Sequence, residues 1–278
     1  MFRYSKLTAL REGALWLLAI IFLVPFYFLV TTALKTDTEA LTGSTLAPPQ
    51  SPQLNNFVEL FTGQGQTNIL QGLMNSVIIT AGSIVGLVLL GALTGYVIAR
   101  SARRWSKAVY YLFLIAIVLP TQLGTVPLYI GARTIGLTGT VWGMIILFVA
   151  MMLPLAIFLY AGFFRGLGTE YEEAATIDGA SRTQIFFRIV LPLMAPATGT
   201  VAILTGLIVW NDFFTALIFL GGSANQTLPV AMYYFIGSLV SQWNKVFAIV
   251  LISMIPILVF YLFAQKQFIR GFAGGLKG

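Results

Sequence analysis

The chain has 278 residues, of which 58% are hydrophobic and only 9% charged, with a mean hydropathy of +0.89. That leaves too little polar surface to cover a water-soluble core of this size, so the composition describes an integral membrane protein. Cysteine and histidine are absent, which excludes disulfides, thiolate chemistry, imidazole metal ligands and histidine acid-base catalysis; no catalytic residue and no metal site are expected. The formal charge of +7 would suggest nucleic acid in a soluble domain. In a membrane chain it asks instead on which face the cations lie, and no nucleic-acid partner is expected.

Six apolar segments read as membrane-spanning helices: 14–34, 73–99, 108–130, 141–164, 195–220 and 246–265. At about 1.5 Å rise per residue, each crosses a hydrocarbon core of about 30 Å with some tilt. Arg3, Lys6 and Arg11 precede the first, but its apolar run is too long for a signal peptide and no convincing small-residue cleavage site follows, so a retained helix is expected. Between the first and second spans, Pro48, Pro49 and Pro52 favour extended backbone, and LNNFVELF then suits one short amphipathic helix. In the second span Gly82 with Gly86 and Gly91 with Gly95 form two G-x-x-x-G pairs that allow close helix approach. Pro120, Pro127 and Pro154 fall in the third and fourth spans, where they kink the helix as hinges or as plain bends. VAMYYFIGSLV, 230–240, is too short to span and rich in aromatics, and reads as an interfacial or partly re-entrant helix. No repeat or separate soluble domain is visible, so 1–278 is read as one transmembrane domain.

With the N-terminus inside, thirteen of the sixteen Lys and Arg residues fall on the inner face, leaving Lys35, Arg133 and Lys245 outside. This bias predicts a multi-pass protein with both termini in the cytoplasm. It also puts the polar stretch EEAATIDGASRTQIFFRIVLP, within the 165–194 loop, on the cytoplasmic face. Thr169 followed by Glu172, and Ser181 followed by Gln184, each fit a capping box, so two helix starts lie twelve residues apart. Gly179 supplies the stop between them, because glycine most readily takes the left-handed conformation after a helix end. In the second helix Ile185, Phe186, Ile189 and Val190 share one face while Arg182 and Arg188 stay in water, and Pro192 marks the bend into the fifth span. Such a hairpin suits docking to a soluble partner; it equally suits a surface link between two spans.

Glu173, Ala174 and Ala175, then Gly179 after three residues and Ile189 after nine more, with Leu191 and Pro192, resemble the EAA loop of the membrane subunits of binding-protein-dependent ABC importers. NNFVELF, Asn75-Ser76, the WNDF run 210–213 and the ending IRGFAGGLKG resemble the smaller permease of the carbohydrate-uptake group that includes the maltose transporter. The likeness covers nearly the whole chain. It implies the type I ABC importer permease fold, with six transmembrane helices and a cytoplasmic coupling helix, in the cytoplasmic (inner) membrane. It further implies that Glu173, Ala174, Ala175, Asp178 and Gly179 dock on an ATP-binding subunit, and that Gly274, Gly275 and Lys277 of the tail, 266–278, reach the same subunit. The implied partners are a second permease, an ATP-binding subunit dimer, an extracytoplasmic solute-binding protein and a sugar or oligosaccharide. The chain has no G-x-x-x-x-G-K-[ST] loop, so ATP and Mg are expected on the partner ATPase subunits, no cofactor on this chain, and the chain is not itself an enzyme.

Asp212 is the only ionisable acid or base inside the six spans, and a charge there costs about 2.5–3.5 kcal/mol on insertion scales. Asp212 and Asn211 are read as bonding across helices to hold a gate, or as touching sugar in the translocation path. A secondary carrier is disfavoured, since such proteins keep several intramembrane charges and repeated halves. A permease for another solute, such as a polyamine or phosphate, is the alternative that the tail and the NNF segment weigh against.

Overall fold

The computed structural model describes residues 6–62, 68–236 and 242–275, with side-chain environments described for 8–62, 68–236, 242–263 and 265. Every regular element among them is helical: α1 (Lys6–Ala33), α2 (Asp37–Thr42), α3 (Asn55–Thr62), α4 (Ile69–Arg100), α5 (Arg104–Val118), a 3-10 turn (Thr121–Gly124), α6 (Thr125–Thr134), α7 (Val141–Gly166), α8 (Glu170–Ile177), α9 (Arg182–Gln184), a π-helical turn (Ile185–Val190), α10 (Leu191–Leu193), α11 (Ala195–Asn211), α12 (Phe214–Leu220), α13 (Leu228–Tyr233) and α14 (Trp243–Gly275). Four stretches are long and apolar enough to cross a bilayer unbroken, Thr8–Ala33, Ile69–Arg100, Val141–Gly166 and Trp243–Phe263. Two bent pairs pass the same test of length and composition only when each is taken together, Arg104–Val118 with Thr121–Thr134 at 93° and Arg182–Leu193 with Ala195–Asn211 at 73°.

The bends amend two expected spans. The third is not one helix: Leu119, before Pro120, takes an extended backbone (φ −69°, ψ 129°), the conformation towards which a following proline ring biases its predecessor. Pro127 sits in the first turn of α6, where no amide bond is lost, and Pro154 lies inside an α7 that continues on both sides. The fifth expected span also breaks, at Asp212, whose extended backbone (ψ 123°) separates α11 from α12. Pro192 lies two residues ahead of the 73° bend, which falls at Met194 between α10 and α11.

The chain divides into two compact units. The first is Met1–Leu70 with Ala231–Ile255. Here the NNF segment has a clear structural use. Asn56 is buried in α3, and its amide donates to the carbonyls of Ala33 (2.8 Å) and Lys35 (2.9 Å), satisfying the end of α1. The Asn244 amide donates to Lys35 O and to Asn56 Oδ1, both at 3.2 Å. Lys35 is itself buried and donates to Ser44 O at 2.9 Å. An ion pair between Lys245 and Glu59 (2.9 Å) closes the same side of α3. The amphipathic helix expected from LNNFVELF is therefore present as α3, with Asn56 and Leu60 inward. The aromatic segment expected at 230–240 begins as α13, and 237–241 lies outside the described residues.

The second unit is Gln71–Val230 with Pro256–Gly278. Its frame is α4 against α7. A Cβ on Gly82 would stand 2.7 Å from Ile145 Cδ1, on Gly86 2.6 Å from Val149 Cγ2, on Gly91 2.9 Å from Ala156 Cβ, and on Gly95 2.7 Å from Tyr160 Cβ. Both glycine pairs thus serve packing, letting α7 approach α4 along a continuous seam. One core built on this seam joins Leu87 and Ala92 of α4, Tyr160 and Phe164 of α7, Ala175 of α8, Phe186 and Val190 of the π-turn, and Val201 of α11. At the opposite end of α4, Asn75 donates to Gln226 O (3.0 Å) and the Ser76 hydroxyl accepts from Leu228 N (2.8 Å), tying down the chain after α12.

Candidate functional site

α8 is a two-turn helix whose boundaries follow from local chemistry. At its end Gly179 has φ +82°, its N–H donates to Thr176 O (3.1 Å), and Ala180 N–H reaches back to Ala175 O (3.0 Å). These two bonds make a Schellman motif, which stops the helix where Gly179 was expected to stop it. Ser181 then opens the next helix with the expected capping box: its hydroxyl accepts from Gln184 N (3.3 Å) and its N–H donates to Gln184 Oε1 (2.8 Å). Ile185, Phe186 and Val190 are buried, and Ile189 packs against the same core, as the apolar face required. The six residues Ile185–Val190 are wound as a π-helix, a form concentrated at functional sites.

The capping box expected from Thr169 and Glu172 does not form. Thr169 makes no side-chain cap; its hydroxyl donates to Glu173 Oε1 at 2.7 Å. The Glu172 carboxylate is engaged elsewhere, accepting from Arg100 Nε (2.8 Å) and from the Tyr96 hydroxyl (2.7 Å), both on α4. The remaining Arg100 nitrogens donate to Phe164 O and Leu167 O at the end of α7, each at 2.9 Å. One guanidinium therefore satisfies the last carbonyls of α7 and binds α8 to α4, in a setting where both side chains of the pair are largely buried. Tyr96 adds ring contacts to Phe164 (5.5 Å) and Phe186 (5.2 Å), so the polar clamp sits on an aromatic base.

The residues singled out for docking separate into two groups. Glu173, Ala174, Asp178 and Gly179 are exposed, whereas Ala175 is 7% exposed and faces the core beside Ile185 and Phe186. The outward face of α8 also carries Tyr171 (54% exposed) and Ile177 (86% exposed). The sequence reading placed Glu172 only in a capping box and counted Arg100 only among the inner-face cations, and it did not single out Tyr96. Tyr96 and Arg100, one turn apart at the polar end of an apolar helix, were visible; their pairing with Glu172 was not.

Gly274 and Gly275 form the last turn of α14, and Lys277 lies outside the described residues. Among the described residues, Asn211 and Asp212 make no hydrogen bond to a distant helix. Asn211 donates to Leu207 O of its own helix (2.8 Å), and Asp212 caps α12, accepting from Ala216 N (2.9 Å) and the Thr215 hydroxyl (2.8 Å). The break in the backbone frees amides at the start of α12, and the nearest carboxylate takes them. Among the described residues no group of His, Cys, Asp and Glu is placed to hold a metal ion.

Candidate membrane spans with a short helix, α8, tethered between two of them by the Arg100–Glu172 pair describe a polytopic membrane protein. The profile of the family described as "Binding-protein-dependent transport system inner membrane component" matches residues 87–273. The chain belongs to this family, and is an ABC transporter permease. It is 36% identical over 257 residues to the melibiose/raffinose/stachyose import permease protein MelC of Bacillus subtilis, covering 92% of this chain and 91% of that protein. It is 31% identical to the probable starch degradation products transport system permease protein AmyC of Thermoanaerobacterium thermosulfurigenes, covering 93% and 92%. The fold matches a crystal structure of a bacterial ABC transporter involved in the import of the acidic polysaccharide alginate, with a TM-score of 0.80 over 96% of this chain and 20% identity.

Proposed function

We propose that the chain is one of two permease subunits that together form the translocation path for a sugar or oligosaccharide in the cytoplasmic membrane, with both termini inside. An extracytoplasmic binding protein delivers the sugar, and a dimer of ATP-binding subunits, holding ATP and Mg, drives alternating access. Relatives named for raffinose-type sugars and starch products, at 36% and 31% identity over most of the chain, support the substrate class. In this reading α8 is the coupling helix. Glu173, Ala174, Asp178 and Gly179, joined by Ile177, enter the ATP-binding subunit. Ala175 sets the inner face, and Gly274, Gly275 and Lys277 approach the same subunit. Asp212 and Asn211 shape the break between α11 and α12 on the translocation path.

One observation carries the proposal: α8 is exposed on its outer face yet held to α4 and α7 by Arg100. A lever must be stiff where it meets the membrane helices and open where it meets its engine. The test is Gly179→Val in the reconstituted complex. A Cβ there would meet no atom within 4 Å, so the expected effect comes from holding a β-branched residue at the left-handed φ of +82°, at a cost of about 1–3 kcal/mol. Assembly into the membrane should persist, while sugar uptake falls relative to ATP hydrolysed. Normal uptake with normal ATPase stimulation would remove α8 from the coupling role. Uptake by this chain alone, without ATP and under an ion gradient, would establish a secondary carrier instead.

A further inference from the structure

A groove of about 700 Å³ lies beside the clamp, between the charged end of α4 and the arm formed by α9 and the π-turn. Arg100 and Glu172 are in its wall and satisfy one another. Arg103 and Arg182 are also in its wall, both are exposed, and among the described residues neither makes an ion pair. Glu172 is the only carboxylate lining the groove, so its open rim carries two uncompensated positive charges. The floor is of the opposite character. Leu93 and Val97 stand one turn apart on α4, further into the apolar span than Arg100, and are 38% and 48% exposed. Phe187, 45% exposed, completes this side.

Phe187 also lines a second cleft of about 480 Å³, bounded by Val88, Leu191, Ala202, Phe260 and Phe263. Cationic rim, apolar floor and apolar cleft therefore run in sequence along the membrane-spanning direction of α4. Trp105, 48% exposed, also lines the groove, and tryptophan is a residue type enriched at membrane–water interfaces. A soluble anion would use the rim and leave the floor and cleft wet. A phosphodiester with attached acyl chains uses all three.

We propose that this groove is a binding site for an anionic phospholipid, with the headgroup phosphate between Arg103 and Arg182 and an acyl chain passing over Val97 and Phe187 into the second cleft. Basic pockets between membrane helices at the interface select such lipids by the same chemistry. The inference rests on the chain spanning a bilayer and is independent of the sugar and of the ATP-binding partner. Because the clamp forms one wall of the groove, a seated lipid also bears on the helix that holds α8.

Native mass spectrometry of the detergent-purified complex, exchanged from vesicles of phosphatidylglycerol mixed with phosphatidylcholine, tests this. The native complex should retain one phosphatidylglycerol per chain and no phosphatidylcholine, and added inorganic phosphate should not displace it. Arg103→Gln with Arg182→Gln should lower retention about thirty-fold, each basic residue near the surface contributing roughly a factor of five. Val97→Trp fills the floor with both arginines in place, so it should lower retention as well and remains informative if the charge variant fails to assemble. The proposal is overturned by undiminished retention in an assembled variant of either kind, by equal displacement with inorganic phosphate, which would mark a soluble-anion site, or by an intact complex that retains no lipid because protein fills the groove.

Discussion

Replacing Arg100 by alanine removes the joint on which the coupling reading depends, and its magnitude can be worked from the geometry. The guanidinium makes three bonds of 2.8–2.9 Å, one to the Glu172 carboxylate and two to carbonyls at the end of α7. Hydrogen bonds to charged groups contribute about 1.5–3 kcal/mol each when buried. The side chains here keep 19% and 15% exposure, and water can reach the freed carbonyls, so the sum is discounted to about 3 kcal/mol for Arg100→Ala. Glu172→Gln keeps an acceptor for Arg100 Nε but loses the charge and turns an amide NH2 towards the Tyr96 hydroxyl, which must then accept, for about 1–2 kcal/mol. A double-mutant cycle over Arg100→Ala, Glu172→Gln and the pair, read by unfolding of the purified protein, should give a coupling energy of about 1–2 kcal/mol. In the reconstituted complex, Arg100→Ala should lower sugar uptake per ATP hydrolysed more than Glu172→Gln does. An additive cycle, or an unchanged uptake ratio in folded Arg100→Ala, would refute the clamp.

Two further outcomes follow from the packing and the caps. Gly95→Ala places a Cβ against Tyr160 Cβ and 3.2 Å from the Ala161 backbone nitrogen, neither of which moves cheaply, whereas Gly86→Ala meets only the Val149 side chain. Gly95→Ala should therefore destabilise by about 2 kcal/mol and Gly86→Ala by clearly less, measured by thermal unfolding in detergent; equal effects would contradict the seam described for α4 and α7. Outside the spans, the Glu39 carboxylate accepts the Thr36 and Gln50 N–H groups, each at 3.1 Å. Its pKa is held below the ordinary 4.5, first by the Thr36 backbone bond, with partial burial opposing and the Gln50 bond, the Thr36 hydroxyl and Lys35 adding to the lowering. A lowered folded pKa means that this cap stabilises fully above about pH 4.5 and is lost as pH falls through the lower folded value. Exchange protection of 36–50, corrected for intrinsic rates, should fall on acidification in the native protein and change little in Glu39→Gln; the same acid dependence in both would rule the carboxylate out.

What was legible in the sequence was whatever local chemistry dictates. Apolar length marked the spans, α3 followed from LNNFVELF, and Gly179 with Ser181 and Gln184 set the turn and second start of the hairpin. Each of these depends on neighbours within four residues, so periodicity and capping rules suffice. Proline positions gave the sites of possible breaks. Leu119 became a 93° bend and Pro154 did not, because a helix interrupted by proline is rescued or lost according to what packs around it.

Tertiary structure alone decided the rest. Thr169 and Glu172 carry a sound local capping signal, yet the carboxylate goes to Arg100 and Tyr96, more than seventy positions away in sequence, because a guanidinium that also closes α7 binds it more strongly than a backbone amide does. Ala175 and Ala174 are identical residues side by side, and only the approach of Ile185 and Phe186 makes one core and the other surface. Asp212 reads as a costly charge within a span until the break between α11 and α12 supplies the Ala216 amide and the Thr215 hydroxyl that hold it. Local rules name the groups that need partners, but distance in space determines which partner each one finds.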